Sequence, residues 1–123
     1  MNILVIDDSP EIRESLKRLL EDSGHKIMTA AYCSEGLRLL HKKAFDFIFT
    51  DLCMPRLSDS LPEPKAGLDV IREIRRKKVR AHVWLMSAAL DNKVAKEALH
   101  LGAEEAVDKM KIVDVLAKHK ILT

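Results

Sequence analysis

Apolar and polar positions fall in alternating blocks along this chain. Five short apolar runs occupy residues 3–6, 26–30, 45–50, 82–86 and 105–107. Within them Ile, Val, Leu, Phe and Met follow one another without the every-second-residue alternation of a half-exposed strand, which predicts strands buried on both faces. The runs at 26–30 and 105–107 are the least apolar, so they belong at the sheet edges. Between the runs lie helical patterns. Ser9-Pro10-Glu11 joins a capping hydroxyl, a first-turn proline and an early acid. Ile12, Leu16, Leu19 and Leu20 then recur at helical spacing until Gly24. Ser34 is expected to cap a second helix bearing Leu37 and Leu40, and Leu68, Ile71 and Ile74 line a third. Asp91 opens a fourth with Val94, Ala98 and Leu101, ended by Gly102, and a fifth runs from about Met110 with Ile112, Val115 and Leu116.

Strand–helix alternation repeated five times predicts an α/β fold: a doubly wound, five-stranded parallel sheet with helices on both faces. One segment breaks the rhythm. Residues 55–66, PRLSDSLPEPKA, are polar and hold three of the four prolines. They are expected to form a long irregular loop after the third strand.

Composition narrows the class. A length of 123 residues suits one core, and 47% hydrophobic residues excludes disorder. Two cysteines, Cys33 and Cys53, do not make a disulfide framework and form no CxxC pair. Lys and Arg number 21 against 19 Asp and Glu, a net charge of +2, so bulk charge argues for neither nucleic acid nor membrane as a direct partner. No run approaches the ~18–20 apolar residues of a membrane span. Residues 1–8 lack the basic flank and long apolar stretch of a signal peptide. A cytoplasmic location is therefore expected. Residues 72–80 hold six basic side chains in nine, expected to be a solvated helix end whose cations complement the dipole rather than a patch for an acidic partner or nucleic acid. The five histidines show no metal-ligand spacing, and Trp84 is expected in the core.

The chemistry gathers where strands end. The first run leads into Asp7 and Asp8, the third ends at Asp51, the fourth at Ser87, and the fifth is followed by Asp108 and Lys109. In a parallel sheet these ends share one edge, where open α/β folds bind their ligands. Any one of these residues alone reads as a helix cap, a turn or a solvated lysine; the joint pattern is much more specific. Clustered carboxylates raise one another's pKa, and a cation relieves them. An all-oxygen set with one or two direct carboxylates suits Mg²⁺. A carboxylate can itself accept a phosphoryl group, with metal and ammonium neutralising the charge in transfer.

The segments ILVIDDSP, DFIFTDLCMP, VWLMSA and VDK, each at its expected strand, resemble the receiver domain of two-component response regulators. The likeness spans essentially the whole chain, read as a single receiver-like domain over 1–123. It implies the strand order 2-1-3-4-5. It also implies that Asp51 is the phosphoacceptor, that Asp8 ligates Mg²⁺ directly and Asp7 through water, and that the backbone carbonyl of Cys53 supplies a further ligand. Ser87 and Lys109 would bind the arriving phosphoryl group. A histidine kinase or histidine phosphotransfer protein would be the donor, and a downstream protein the target. Such a domain is a signalling switch, not an enzyme with turnover on free substrates; the only catalysis implied is of its own phosphorylation and dephosphorylation. Taken as complete, the chain would act by binding a partner or as a phosphate relay or sink.

Four features depart from the family pattern. Ala106 stands where the family has a switch aromatic. Met110 follows Lys109 where the family has proline in a cis bond; cis without proline costs ~3 kcal/mol, so a trans bond or a shifted lysine backbone is expected. Gly67 comes sixteen positions after Asp51 (67 − 51), implying an insertion of about eight residues within 55–66, a length that surface loops tolerate. Cys53 and Ala89 cannot position an attacking water well, so self-dephosphorylation should be slow. Two other readings remain: a receiver-like interaction module indifferent to phosphate, motivated by Ala106 and Met110, and a small aspartyl-phosphate phosphatase. The second fits poorly, because that class uses a DxD motif on its first strand whereas Asp7 and Asp8 are adjacent.

Overall fold

The computed structural model describes residues 1–122. The strands β1 (Asn2–Ile6), β2 (Lys26–Ala30), β3 (Phe47–Asp51), β6 (His82–Ser87) and β7 (Glu105–Asp108) form one parallel sheet in the order β2-β1-β3-β6-β7. This is the doubly wound order 2-1-3-4-5 of the sequence expectation, with the two least apolar strands at its edges. Helices α1 (Pro10–Asp22), α2 (Cys33–Lys42), α3 (Ala66–Arg76), α4 (Asn92–Leu101) and α5 (Ile112–Lys118) connect the strands or follow the last.

Burial on both faces explains the unbroken apolar runs. Ile3 and Val5 point to one side with Phe47, Phe49, Trp84 and Met86, under Leu16 and Leu20 of α1 and Ile112 and Leu116 of α5. Leu4 and Ile6 point to the other with Ile48, Val83 and Leu85, beneath α2, α3 and α4. Trp84 is wholly buried, edge-on to Phe47 and Phe49.

Local chemistry sets several boundaries. Ser9 Oγ accepts from the backbone N–H of Ile12 (3.3 Å), and Asp91 Oδ1 from that of Val94 (2.8 Å), so α1 and α4 begin where capping residues predict. Gly102 ends α4 at φ +118°, a left-handed geometry that favours glycine. Ser34, however, caps nothing. The cap position is Tyr32, two residues earlier, and the Ser34 N–H instead donates to the Arg56 carbonyl (2.9 Å). The loop after β3 thus satisfies a first-turn donor of α2 that a side chain was expected to satisfy. The fifth helix begins at Ile112, because residues 109–111 form a 3₁₀ turn over the Asp108 carboxylate, which accepts from the Met110 N–H (2.9 Å).

The segment 55–66 is more ordered than its composition suggests. It carries a short antiparallel pairing of β4 (Met54–Pro55) with β5 (Pro62–Glu63). Two of the four paired residues are prolines without an N–H, so the ladder cannot lengthen. Arg56 fastens the hairpin by ion pairs to Glu63 and to Asp69 of α3. Every peptide bond among the described residues is trans, that after Lys109 included.

Candidate functional site

Three of the five parallel strands carry acids or a lysine to the edge where they end. Asp7 follows β1, its N–H held by the Ala30 carbonyl (2.9 Å) of neighbouring β2. Its carboxylate Oδ1 accepts from the Ser9 N–H (2.9 Å), and its carbonyl accepts from Arg13 (2.8 Å), so α1's first turn locks it in place. Asp51 is the last residue of β3, in register with Met86, and the next N–H, that of Leu52, bonds the Met86 carbonyl (2.9 Å). Lys109 begins the turn after β7.

Carboxylate oxygens of Asp7, Asp8 and Asp51 lie within 4.8 Å of one another. Asp7 is fully buried and Asp51 is 4% exposed, while Asp8 opens to solvent. The Lys109 ammonium sits 2.8 Å from Oδ2 of Asp7 and 3.0 Å from Oδ1 of Asp51. Oδ2 of Asp7 is buried and faces the Lys109 ammonium. Burial first, and then the charge of Asp7, push the Asp51 carboxyl up to about 7 against the pull of Lys109. Burial disfavours the Lys109 cation, but the two carboxylates outweigh it and raise its pKa.

With every group ionised, three carboxylates and one ammonium leave two negative charges in a largely buried space. A donor set of oxygens only, two buried carboxylates that share one ammonium, and an Asp51 pKa raised by burial and by uncompensated charge all fit a hard divalent cation. Such an ion needs an open side for waters or phosphoryl oxygens, which the exposure of Asp8 and Cys53 provides.

Ser87 ends β6 opposite Asp108 of β7 and is nearly buried. Its Oγ accepts from the Ala89 N–H (3.1 Å), which leaves the hydroxyl proton free to donate. Cys53 lies two residues beyond Asp51, and its thiol pKa is raised by partial burial and then by the charges of Asp51 and Asp8. Cys33, by contrast, is the buried first residue of α2, and desolvation lifts its thiol to about 11; no disulfide links the two.

Two supporting residues escaped the sequence reading. Thr50, fully buried, donates its hydroxyl to the Asp51 carbonyl (3.1 Å); its only signal was a hydroxyl inside the run FIFT. Gly67 served there only as a spacing marker. A Cβ at Gly67 would stand 2.1 Å from the Asp51 carbonyl oxygen, and its N–H bonds the Leu52 carbonyl (2.8 Å). The start of α3 therefore rests directly on the backbone of Asp51.

A doubly wound parallel sheet with an acidic cluster and a lysine at its carboxyl edge is the arrangement of an α/β domain of the receiver type. The family model described as response regulator receiver domain matches residues 3–119, and the chain belongs to that family of two-component signalling proteins. It is 32% identical over 108 residues to the transcriptional regulatory protein AfsQ1 of Streptomyces coelicolor, a match covering 88% of this chain and 44% of that protein. It is likewise 32% identical over 107 residues to KdpE of Mycobacterium tuberculosis, covering 87% and 43%. The chain thus spans about half the length of the curated relatives it matches. Among solved structures, a response regulator receiver domain from Clostridium thermocellum aligns at TM-score 0.74 and 30% identity over 99% of this chain and 98% of that one. The receiver domain of Francisella response regulator 1452 shares the fold at TM-score 0.83 and 24% identity, covering 98% and 93%. No described helix is long and apolar enough to cross a membrane.

Proposed function

We propose that this receiver is a Mg²⁺-dependent phosphoryl acceptor in a two-component relay, with Asp51 as the acceptor. The observation that carries this is the meeting of three carboxylates with one ammonium at the carboxyl edge of a receiver-family sheet. The donor is the phosphohistidine of a histidine kinase or phosphotransfer protein in the cytoplasm. Its P–N bond breaks as a bond forms from phosphorus to an Asp51 oxygen, and the leaving imidazole takes a proton from solvent. Asp8 directly, Asp7 through water, Asp51 itself and the Cys53 carbonyl would hold the metal. Bound there, Mg²⁺ would favour the ionised Asp51 and neutralise charge on the phosphoryl oxygens.

This chain's own groups do the rest. Lys109, already 3.0 Å from Asp51, pairs with the new phosphoryl oxygens, and the free Ser87 proton donates to one of them. Redistribution of these contacts changes the surface offered to a downstream protein. Hydrolysis of the acyl phosphate restores the carboxylate. With Cys53 and Ala89 flanking the site, no side chain there orients an attacking water, so the phosphorylated state persists.

The test is intact-protein mass spectrometry after incubation with a small phosphoryl donor, with and without Mg²⁺, beside Asp51→Asn. A Mg²⁺-dependent gain of one phosphoryl group, absent from Asp51→Asn, is expected. No gain together with no Mg²⁺ binding would sink the proposal. That outcome would favour the second reading, a phosphate-indifferent interaction module, for which Ala106 at the aromatic position is the specific motive.

A further inference from the structure

The basic run at 72–80 is not simply a solvated helix end. Arg75 is consumed inside the fold, donating to the carbonyls of Gly102, Val79 and Ala81. A second basic segment lies beside the rest. The end of α2 carries His41, Lys42 and Lys43, all exposed, and Nζ of Lys77 reaches Nε2 of His41 at 2.6 Å. Helices α2 and α3 therefore finish together, next to the starts of β3 and β6 and at the edge of the sheet opposite Asp51.

Acidic compensation here is partial: the Asp46 carboxylate holds the Asn2 N–H, and Glu104 pairs with His82 at the same edge. Glu73 pairs with Arg76 and Lys77. Lys42, Lys43, Lys78 and Arg80 have no acidic partner among the described residues. Helix dipoles account for cations within a last turn, but Lys43, Lys78 and Arg80 lie past the helix ends. Arg80 also lines a cavity of about 420 Å³ at this edge with Asp46 and His82. Lys78 holds a left-handed backbone at φ +58°, where lysine is less stable than glycine by about 1 kcal/mol.

We propose that this edge is a docking surface for the sugar–phosphate backbone of a nucleic acid, bound without regard to sequence. Phosphate oxygens need only charged N–H donors. The exposed residues of the two helix ends, at 41–44, 76, 78 and 80, include no large apolar side chain. A protein interface would want aromatic or apolar anchors at its centre, and a bilayer would want an apolar helix face.

Fluorescence polarisation with short random-sequence duplexes, one of DNA and one of RNA, tests this. With four unpaired cations engaged, log K should fall against log salt with a slope of about −4 between about 50 and 200 mM. Lys42→Gln/Lys43→Gln/Arg80→Gln should reduce the magnitude of that slope by about 3. Lys78→Gly should reduce it by about 1 while raising the melting temperature, a pairing of effects that damage to the fold would not produce. Lys78→Gly decides alone if the triple variant fails to unfold cooperatively. Tighter binding of either duplex supports the proposal and names the source of the phosphates. Failure to bind both duplexes at about 50 mM salt, or unchanged slopes in the variants, overturns it. So does polyglutamate binding as tightly as the duplexes, which assigns the edge to acidic proteins, or retention on phosphatidylserine vesicles alone. Asp51→Asn should bind duplex like the native chain, so the outcome is independent of the phosphoryl-acceptor proposal.

Discussion

At Asp51 the chain holds a carboxylate that water barely reaches, beside the charge of Asp7 and with one ammonium, that of Lys109, to balance both. Its pKa of about 7 lies above the 3.8 of an unperturbed aspartate, and the sign of the consequence is definite. Between these two values the folded state binds a proton that the unfolded chain has released. Stability therefore falls as pH rises through the window, and the loss is complete above about 7. Asp51→Asn removes the charge while keeping the shape. In EDTA at alkaline pH it should be more stable than the native chain by on the order of 1–2 kcal/mol, or several degrees in Tm, by calorimetry. The advantage should shrink toward pH 4. An advantage independent of pH would mean that Asp51 is not the strained group. The identity of this residue was legible in the sequence because a single acid after FIFT stands out. Its strain was not, because desolvation and the charge of Asp7 come from residues forty-four positions apart (51 − 7).

At the scale of elements, caps and close approaches decide which substitutions matter. Asp91 caps α4 through its side chain, whereas Ser34 leaves its hydroxyl out of the cap of α2. Asp91→Ala should cost about 1 kcal/mol in urea denaturation, and Ser34→Ala little. Equal losses would restore Ser34 as a cap. Gly67 offers a sharper contrast. It lies within α3, where alanine ordinarily gains about 1 kcal/mol over glycine. Here the added Cβ would stand 2.1 Å from the Asp51 carbonyl oxygen, and backbone cannot yield like a flexible side chain. Gly67→Ala should instead destabilise by about 2 kcal/mol or more, and should weaken divalent-cation binding by moving Asp51. Stabilisation would show that α3 is free to shift. Strand and helix periods announced the five parallel strands and five helices. The β4–β5 hairpin went unseen, since two-residue strands rich in proline carry no period, and the Arg56 ion pairs that fasten it reach Glu63 and Asp69, seven and thirteen positions on.

Across the whole molecule, the two edges of the sheet differ in charge: three clustered carboxylates where the strands end, and unpaired lysines and arginines among a few engaged acids where β3 and β6 begin. The acidic edge has a direct thermodynamic readout. Saturating Mg²⁺ at about one hundred times its Kd should stabilise the fold by about 2.7 kcal/mol, seen as a rise in Tm that equal ionic strength of sodium chloride does not reproduce. Asp8→Asn should abolish the rise; a rise that survives would move the metal elsewhere. The sequence by itself determined the alternation of strands and helices, the central and edge places in the sheet, and the delivery of Asp7, Asp8, Asp51, Ser87 and Lys109 to one edge. Those follow from hydrophobic period and from the parallel rule that sends every strand end the same way. Only the tertiary structure decided that Lys109 reaches both Asp7 and Asp51 across a trans bond to Met110, that Gly67 must be bare for α3 to rest on the Asp51 backbone, and that the C-termini of α2 and α3 pool their cations. These depend on distances between segments far apart in the chain. No local pattern encodes such distances, because they are set by how the packed layers meet.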